Sequence, residues 1–134
     1  MAGAIYPGLQ GKTVFITGGA MGIGEGFVKA FHGQGCKVAF VDLAKEAGEK
    51  LAKSLGGAIW FRVCDVTDTK SLQDTVRAAG RELGPVTVLV NNAAHDERHK
   101  WEDVTPDYWD NRLAINLKHH FFAAQAAAPM MKQA

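Results

Sequence analysis

The sequence predicts an α/β fold of three layers, a doubly wound parallel sheet with helices on both faces. Three observations predict it. Lys12 to Gly24, KTVFITGGAMGIG, reads as a strand that breaks into a glycine-rich turn and restarts as a helix. Val14, Phe15 and Ile16 form a continuous apolar run, the pattern of a strand covered on both faces. Short strands then alternate with amphipathic helical stretches along the chain, which implies parallel strands joined by right-handed crossovers.

The elements follow in order. Strand 1 is Thr13 to Thr17. The helix after it carries Ile23, Phe27, Ala30 and Phe31 at helical spacing and ends at Gly33 and Gly35. Strand 2 is Lys37 to Asp42. The next helix, Leu43 to Leu55, aligns Leu43, Ala47, Leu51 and Leu55, and Gly56-Gly57 stops it. Strand 3 is Ala58 to Cys64. The helix from Asp68 to Leu83 turns Leu72, Val76, Ala79 and Leu83 inward, and Gly84-Pro85 breaks it. Strand 4 is Val86 to Val90. A short turn is expected at Trp101 to Val104. Thr105 then caps a long helix whose first residue is Pro106, running to Pro129 or beyond. The expected strand order is 3-2-1-4, with a ligand at the carboxyl ends of strands 1 and 4, where the winding reverses.

Composition narrows the function classes. The 134 residues suffice for one modest domain. Charged residues are 22% and the net charge is +1, with no basic stripe, so nucleic acid is not an expected partner. No apolar run approaches membrane-spanning length. The opening MAGAIYPGLQGK lacks the charged and apolar regions of a secretory signal, so a cytoplasmic location is expected. Cys36 and Cys64 fall at opposite ends of neighbouring strands, too far apart to bridge.

The chemistry gathers at the strand ends. Gly18, Gly22 and Gly24 clear side chains from a turn where backbone can approach a pyrophosphate and helix N–H groups can face its charge. The spacing is Thr17-Gly18-x-x-x-Gly22-x-Gly24 and not G-x-G-x-x-G; a turn made only for packing is the alternative. Asp42 closes strand 2, where a carboxylate accepts ribose hydroxyls and repels a 2′-phosphate. No Arg or Lys stands at 43 or 44, which favours NAD over NADP; the alternative is that Asp42 caps the next helix.

This fingerprint, with Asn91-Asn92-Ala93-Ala94 after strand 4 and Asn116 in the last helix, resembles the short-chain dehydrogenase/reductase family over essentially the whole chain. The resemblance implies a Rossmann-like fold and a cofactor set of Thr17, Gly18, Met21, Gly22, Ile23, Gly24, Asp42, Leu43, Asp65, Val66, Asn92, Ala93 and Ala94. Asp65 and Val66 would flank the adenine, although a turn into the next helix explains them equally well. Ala94 departs by one methyl from the family's glycine. The resemblance also makes Asn116 part of the catalytic machinery, bending its helix and holding a water that links the catalytic lysine to solvent. His95 is assigned to the substrate pocket. Ala4-Ile5-Tyr6-Pro7, Asp96, Arg98-His99, Trp109-Asp110, Arg112 and the segment from Asn116 to Pro129 are similar to NAD-dependent aldose (D-xylose) 1-dehydrogenases.

The family's reaction needs a Tyr-x-x-x-Lys pair and an upstream Ser. The tyrosines here are Tyr6 and Tyr108, followed four residues later by Gln10 and Arg112, and the serines are Ser54 and Ser71. The resemblance therefore implies that residues 1–134 are a single NAD-binding domain, the N-terminal part of an enzyme, inactive alone. In that enzyme the tyrosinate would take the proton of a sugar's anomeric hydroxyl, serine would position the oxygen, lysine would lower the tyrosine pKa, and C1 hydride would pass to NAD, leaving a lactone. The rival is a non-catalytic nucleotide-binding or interaction fragment, which retained NAD binding without turnover would select. No metal is expected: His95-Asp96-Glu97-Arg98-His99 has its glutamate at the wrong offset for H-E-x-x-H. His119-His120 reads as partly exposed helix surface or a subunit contact. Leu113, Leu117, Phe121, Ala124 and Ala128, widened by Phe122 and Ala126, form a stripe that covers the sheet in part. It also supports homo-oligomers through the last helix, while strand 4 is left as an open edge.

Overall fold

The computed structural model describes residues 3–134, so the reading of the extreme N-terminus lies partly outside the described residues. Four parallel strands, β1 (Thr13–Thr17), β2 (Lys37–Asp42), β3 (Ile59–Val63) and β4 (Val86–Val90), stand in the order β3-β2-β1-β4, as expected. The helices are α1 (Gly22–Gly33), α2 (Lys45–Leu55), α3 (Thr69–Leu83), α4 (Pro106–Leu113) and α5 (His119–Gln133), with 3-10 turns at Pro7–Leu9 and Trp101–Asp103. Among the described residues no helix is long and apolar enough to cross a membrane.

Strand alternation sorts the core into two layers. Val14 and Ile16 of β1, with Val38 and Phe40 of β2, face Val28 of α1 and Leu51 of α2. Phe15, Ala39 and Val41 face the other way, toward Leu72, Val76 and Ala79 of α3 and Ala123, Ala126 and Ala127 of α5. Thr17 follows Phe15 on that second side and is fully buried. Small residues let α3 and α5 approach closely, and a Cβ on Gly80 would strike Met130. Among the described residues β4 pairs only with β1, and its extra residue Thr87 makes a bulge where the register shifts.

Several expectations need correction. Leu43 lies outside α2 and is 67% exposed, because the helix starts at Lys45 once Asp42 has turned the chain. In α1 the helical spacing is right but the inward face is Gly24, Val28 and half-buried Phe31; Ile23, Phe27 and Ala30 are exposed. The last helix is divided by a π turn, Ala114–Lys118, and passes through Pro129 to Gln133. Thr105 does cap its start, accepting the Tyr108 N–H at 3.1 Å, with Pro106 first.

The extra residue of the π turn rotates everything after it. Leu117 and Phe121 face solvent, 63% and 64% exposed, continuing the exposed line of Trp109 and Leu113. Of the expected stripe Ala126 covers the sheet, together with Ala123 and Ala127. The same rotation buries His119, which is only 1% exposed and is not surface; His120 beside it is half-buried. The two cysteines are free and buried, as expected.

Candidate functional site

Strand polarity brings the carboxyl ends of all four strands to one edge of the sheet, and most of the sequence-selected residues meet there. Gly18 has φ +69°, and a Cβ on it would lie 2.9 Å from the Ala93 Cα. At Gly24 a Cβ would overlap the Gly18 carbonyl oxygen. These two glycines let the turn after β1 nest against the loop after β4. Gly22, at φ +59°, has open space around it.

Met21 occupies the N-cap of α1 without a side-chain cap, whereas Asp68 caps α3 and Thr105 caps α4. The first N–H groups of α1 thus remain available to an anion. Exposed Met21, Ile23 and Leu43 add apolar surface at the same edge. Gly19, which sequence reasoning passed over, is equally constrained: a Cβ there would lie 2.7 Å from the Phe40 Cβ.

Asp42 is oriented by two backbone donors. Oδ2 accepts the Ala20 N–H and Oδ1 the Ala44 N–H, both at 3.0 Å. Each oxygen keeps capacity for a further donor. The Ala44 contact is a turn ahead of α2. The N-cap of that helix is Ala44 and has no side-chain cap, so Asp42 does not cap it as the alternative supposed. Ala20 reaches across from the glycine turn, a link that no local pattern announces. At Asp65, Oδ1 accepts the Thr67 N–H and hydroxyl at 2.9 and 2.7 Å, the turn geometry leading into α3, with half-buried Val66 between them.

The loop after β4 is held from two sides. Asn92 Nδ2 donates to the carbonyls of Thr17 and Gly18 at 3.1 and 3.0 Å. The Thr17 hydroxyl accepts the Asn92 and Ala93 N–H groups, both at 3.0 Å. Beyond exposed Ala94, Asn116 in the π turn grips His95 at both backbone groups: Oδ1 accepts its N–H at 2.8 Å, and Nδ2 donates to its carbonyl at 3.0 Å. The irregular turn falls at the residue where the family resemblance implied a bend.

His95 borders a cleft of about 570 Å³ lined also by Trp101, Tyr108, Trp109, Arg112 and Asn116. Arg112 pairs with Glu97 at 3.1 Å and stacks over the Tyr108 ring, and the Tyr108 hydroxyl lies 2.7 Å from His99 Nδ1. Desolvation and the Glu97 charge push the Tyr108 phenol above its ordinary pKa, opposite to what a tyrosinate proton acceptor needs. Among the described residues no three His, Cys, Asp or Glu side chains come together as a metal site.

His119 was missed as a site residue; its signal was a polar side chain between Ile115 and Ala123 on a helix flank otherwise apolar. Its Nε2 lies 3.1 Å from the Thr17 hydroxyl, and its Nδ1 meets the Ile115 carbonyl. Burial lowers its pKa, which the Ile115 hydrogen bond opposes and the His120 charge reinforces. Between the ordinary histidine pKa of about 6.5 and the lower folded value, the unfolded chain binds a proton that the folded chain does not. The stabilisation is thus complete above that window and declines as pH falls through it. Urea unfolding from pH 7.5 down to pH 5 should show a falling midpoint, and a flat profile would contradict the buried neutral ring.

Residues 12–134 match the family model for short chain dehydrogenases. The chain is 45% identical to D-xylose 1-dehydrogenase of Caulobacter vibrioides, over 99% of this chain and 53% of the relative. It is 43% identical to a probable galactose dehydrogenase of Rhizobium meliloti, over 96% and 52%. Among solved structures, a 3-ketoacyl-(acyl-carrier-protein) reductase from Brucella melitensis complexed with NADH superposes at a TM-score of 0.86 and 30% identity, covering 93% of this chain and 52% of that one. A blue fluorescent protein from a metagenomic library in complex with NADPH gives 0.88 and 33%, covering 92% and 52%. The chain spans about half the length of the curated relatives it matches.

Proposed function

Since this chain belongs to the short-chain dehydrogenase family, we propose that it supplies the NAD site of an oxidoreductase that oxidises a sugar or other alcohol, an aldose 1-dehydrogenase. The observation that carries the reading is the strand-end edge itself, with its uncapped α1 N-terminus, glycine turn and oriented Asp42. The fit to a dinucleotide rests on that donor set and on the open space at Gly22. The N–H groups of Gly22, Ile23 and Gly24 would hold a pyrophosphate, Asp42 the adenosine ribose, Asp65 and Val66 the adenine, and Asn92 to Ala94 the second ribose. When bound, the nicotinamide supplies a hydride acceptor.

The similarity to D-xylose and galactose dehydrogenases supports an aldose as substrate, with His95 at the pocket's edge. Asn116 serves the reaction by fixing the loop that carries His95. The lack of a Tyr-x-x-x-Lys pair in residues 1–134 and the raised Tyr108 pKa support the reading that these residues do not abstract the proton themselves.

Asp42 sets the cofactor preference, because its charge repels a 2′-phosphate. By calorimetry, NAD should bind at least about tenfold more tightly than NADP, a difference of about 1.4 kcal/mol, and Asp42→Ala should erase most of the gap. Equal affinities in the unmutated chain would sink the assignment.

Homo-oligomerisation is part of the same reading. Trp109, Leu113, Leu117 and Phe121 recur every four residues across the π turn, all exposed, and together form an apolar stripe. A second copy of the helix would cover it. Sedimentation equilibrium at micromolar concentration should show a dimer or larger species, weakened by Leu117→Glu. A single species at 14.4 kDa would reject the contact.

A further inference from the structure

His119 is assigned no role by the cofactor and substrate readings, yet it completes the hydrogen-bond geometry beneath the loop after β4. The Ile115 carbonyl can only accept, so Nδ1 carries a proton and Nε2 of the neutral ring is an acceptor. The Thr17 hydroxyl already spends both lone pairs on the Asn92 and Ala93 amides, so its own proton goes to Nε2. Donors and acceptors then match in one arrangement only. The ring's hydrogen-bond partners are Thr17 from β1 and Ile115 from the π turn, neither of them charged. The ionisable neighbour among the described residues is His120, its ring edge-on at 4.4 Å.

We propose that His119 is a positioning residue: its neutral ring, protonated on Nδ1, aims the Thr17 hydroxyl so that the loop Asn91 to Ala94 is locked to β1 and to the π turn that carries Asn116. An imidazolium would set a second donor against a hydroxyl with no lone pair left, so the clamp exists only with the neutral ring. The clamp rests on the NAD reading only for its purpose, to hold the loop in place for a cofactor.

Two cofactor-free NMR measurements on the 134-residue chain test it. Ring ¹⁵N shifts should show His119 as the Nδ1–H tautomer at pH 7; an Nε2–H tautomer or an imidazolium at that pH overturns the clamp. In His119→Leu, amide hydrogen exchange at Asn92 and Ala93 should accelerate about tenfold relative to the β1 amides, and His119→Gln, which offers an acceptor oxygen, should recover most of that protection. A folded Leu variant with native exchange at both amides overturns it, as does a Gln variant no better than Leu. The tautomer measurement needs no variant, so a Leu chain that fails to fold does not shield the proposal. Failure of NAD to bind, with both signatures present, counts against the cofactor reading and leaves the clamp standing.

Discussion

Gly24→Ala should cost the chain about 3 kcal/mol of stability and weaken NAD binding roughly a hundredfold. The methyl has nowhere to go. It would overlap the Gly18 carbonyl oxygen and lie 2.7 Å from Asn92 Nδ2, and neither is the free end of a flexible side chain. The Gly18 carbonyl is itself the acceptor for Asn92 Nδ2, so relieving the clash means opening the contact between the turn and the loop after β4. Displacement of α1 follows, and with it the N–H groups proposed to hold the pyrophosphate. Gly22→Ala is the useful contrast: space around it is open, so its cost should come from the φ of +59° alone, about 1 kcal/mol. Urea unfolding and calorimetry of both variants check the order. A Gly24→Ala chain within about 0.5 kcal/mol of the unmutated one would show that the turn is not packed as described.

Thr17→Val should be nearly as damaging, at about 3 kcal/mol, although it keeps the side chain's shape. The hydroxyl accepts from two backbone amides and lies against His119 Nε2, all at a fully buried position. Valine leaves two amides and one ring nitrogen without partners, and unpaired buried groups cost about 1–3 kcal/mol each, less than additively where they share one site. Thr17→Ser should retain most of the stability, since the hydroxyl survives. Chemical denaturation of the pair decides the matter: equal stability of the Val and Ser variants would mean that the hydroxyl is dispensable.

The fold was legible because strands covered on both faces leave continuous apolar runs, and glycine and proline mark their ends. Strand order followed from the βαβ rhythm. The glycine turn and Asp42 stood out because they close buried strands, and Asn116 because asparagine is a poor helix former in mid-helix. What escaped has a common cause. The π turn adds one residue to a helical period, and sequence periodicity carries no mark of that extra residue. His119, drawn as partly exposed, is buried for that reason, while Ala126 turned to the sheet as drawn. The Asp42–Ala20 contact was hidden for another reason: it joins the end of β2 to the glycine turn, far apart in sequence, through a backbone N–H, which every residue but proline possesses.

The central claim is that NAD lies along the carboxyl ends of the four strands. The direct measurement is a titration of the ¹⁵N-labelled chain with NAD, followed by amide shifts. The account predicts perturbations at Gly18 to Gly24, Asp42 and Leu43, Asp65 and Val66, and Asn92 to His95. Shifts confined to the cleft beside α3 that Arg62, Asp68, Lys70, Asp74 and Arg81 line, or no shifts at millimolar NAD, would contradict it.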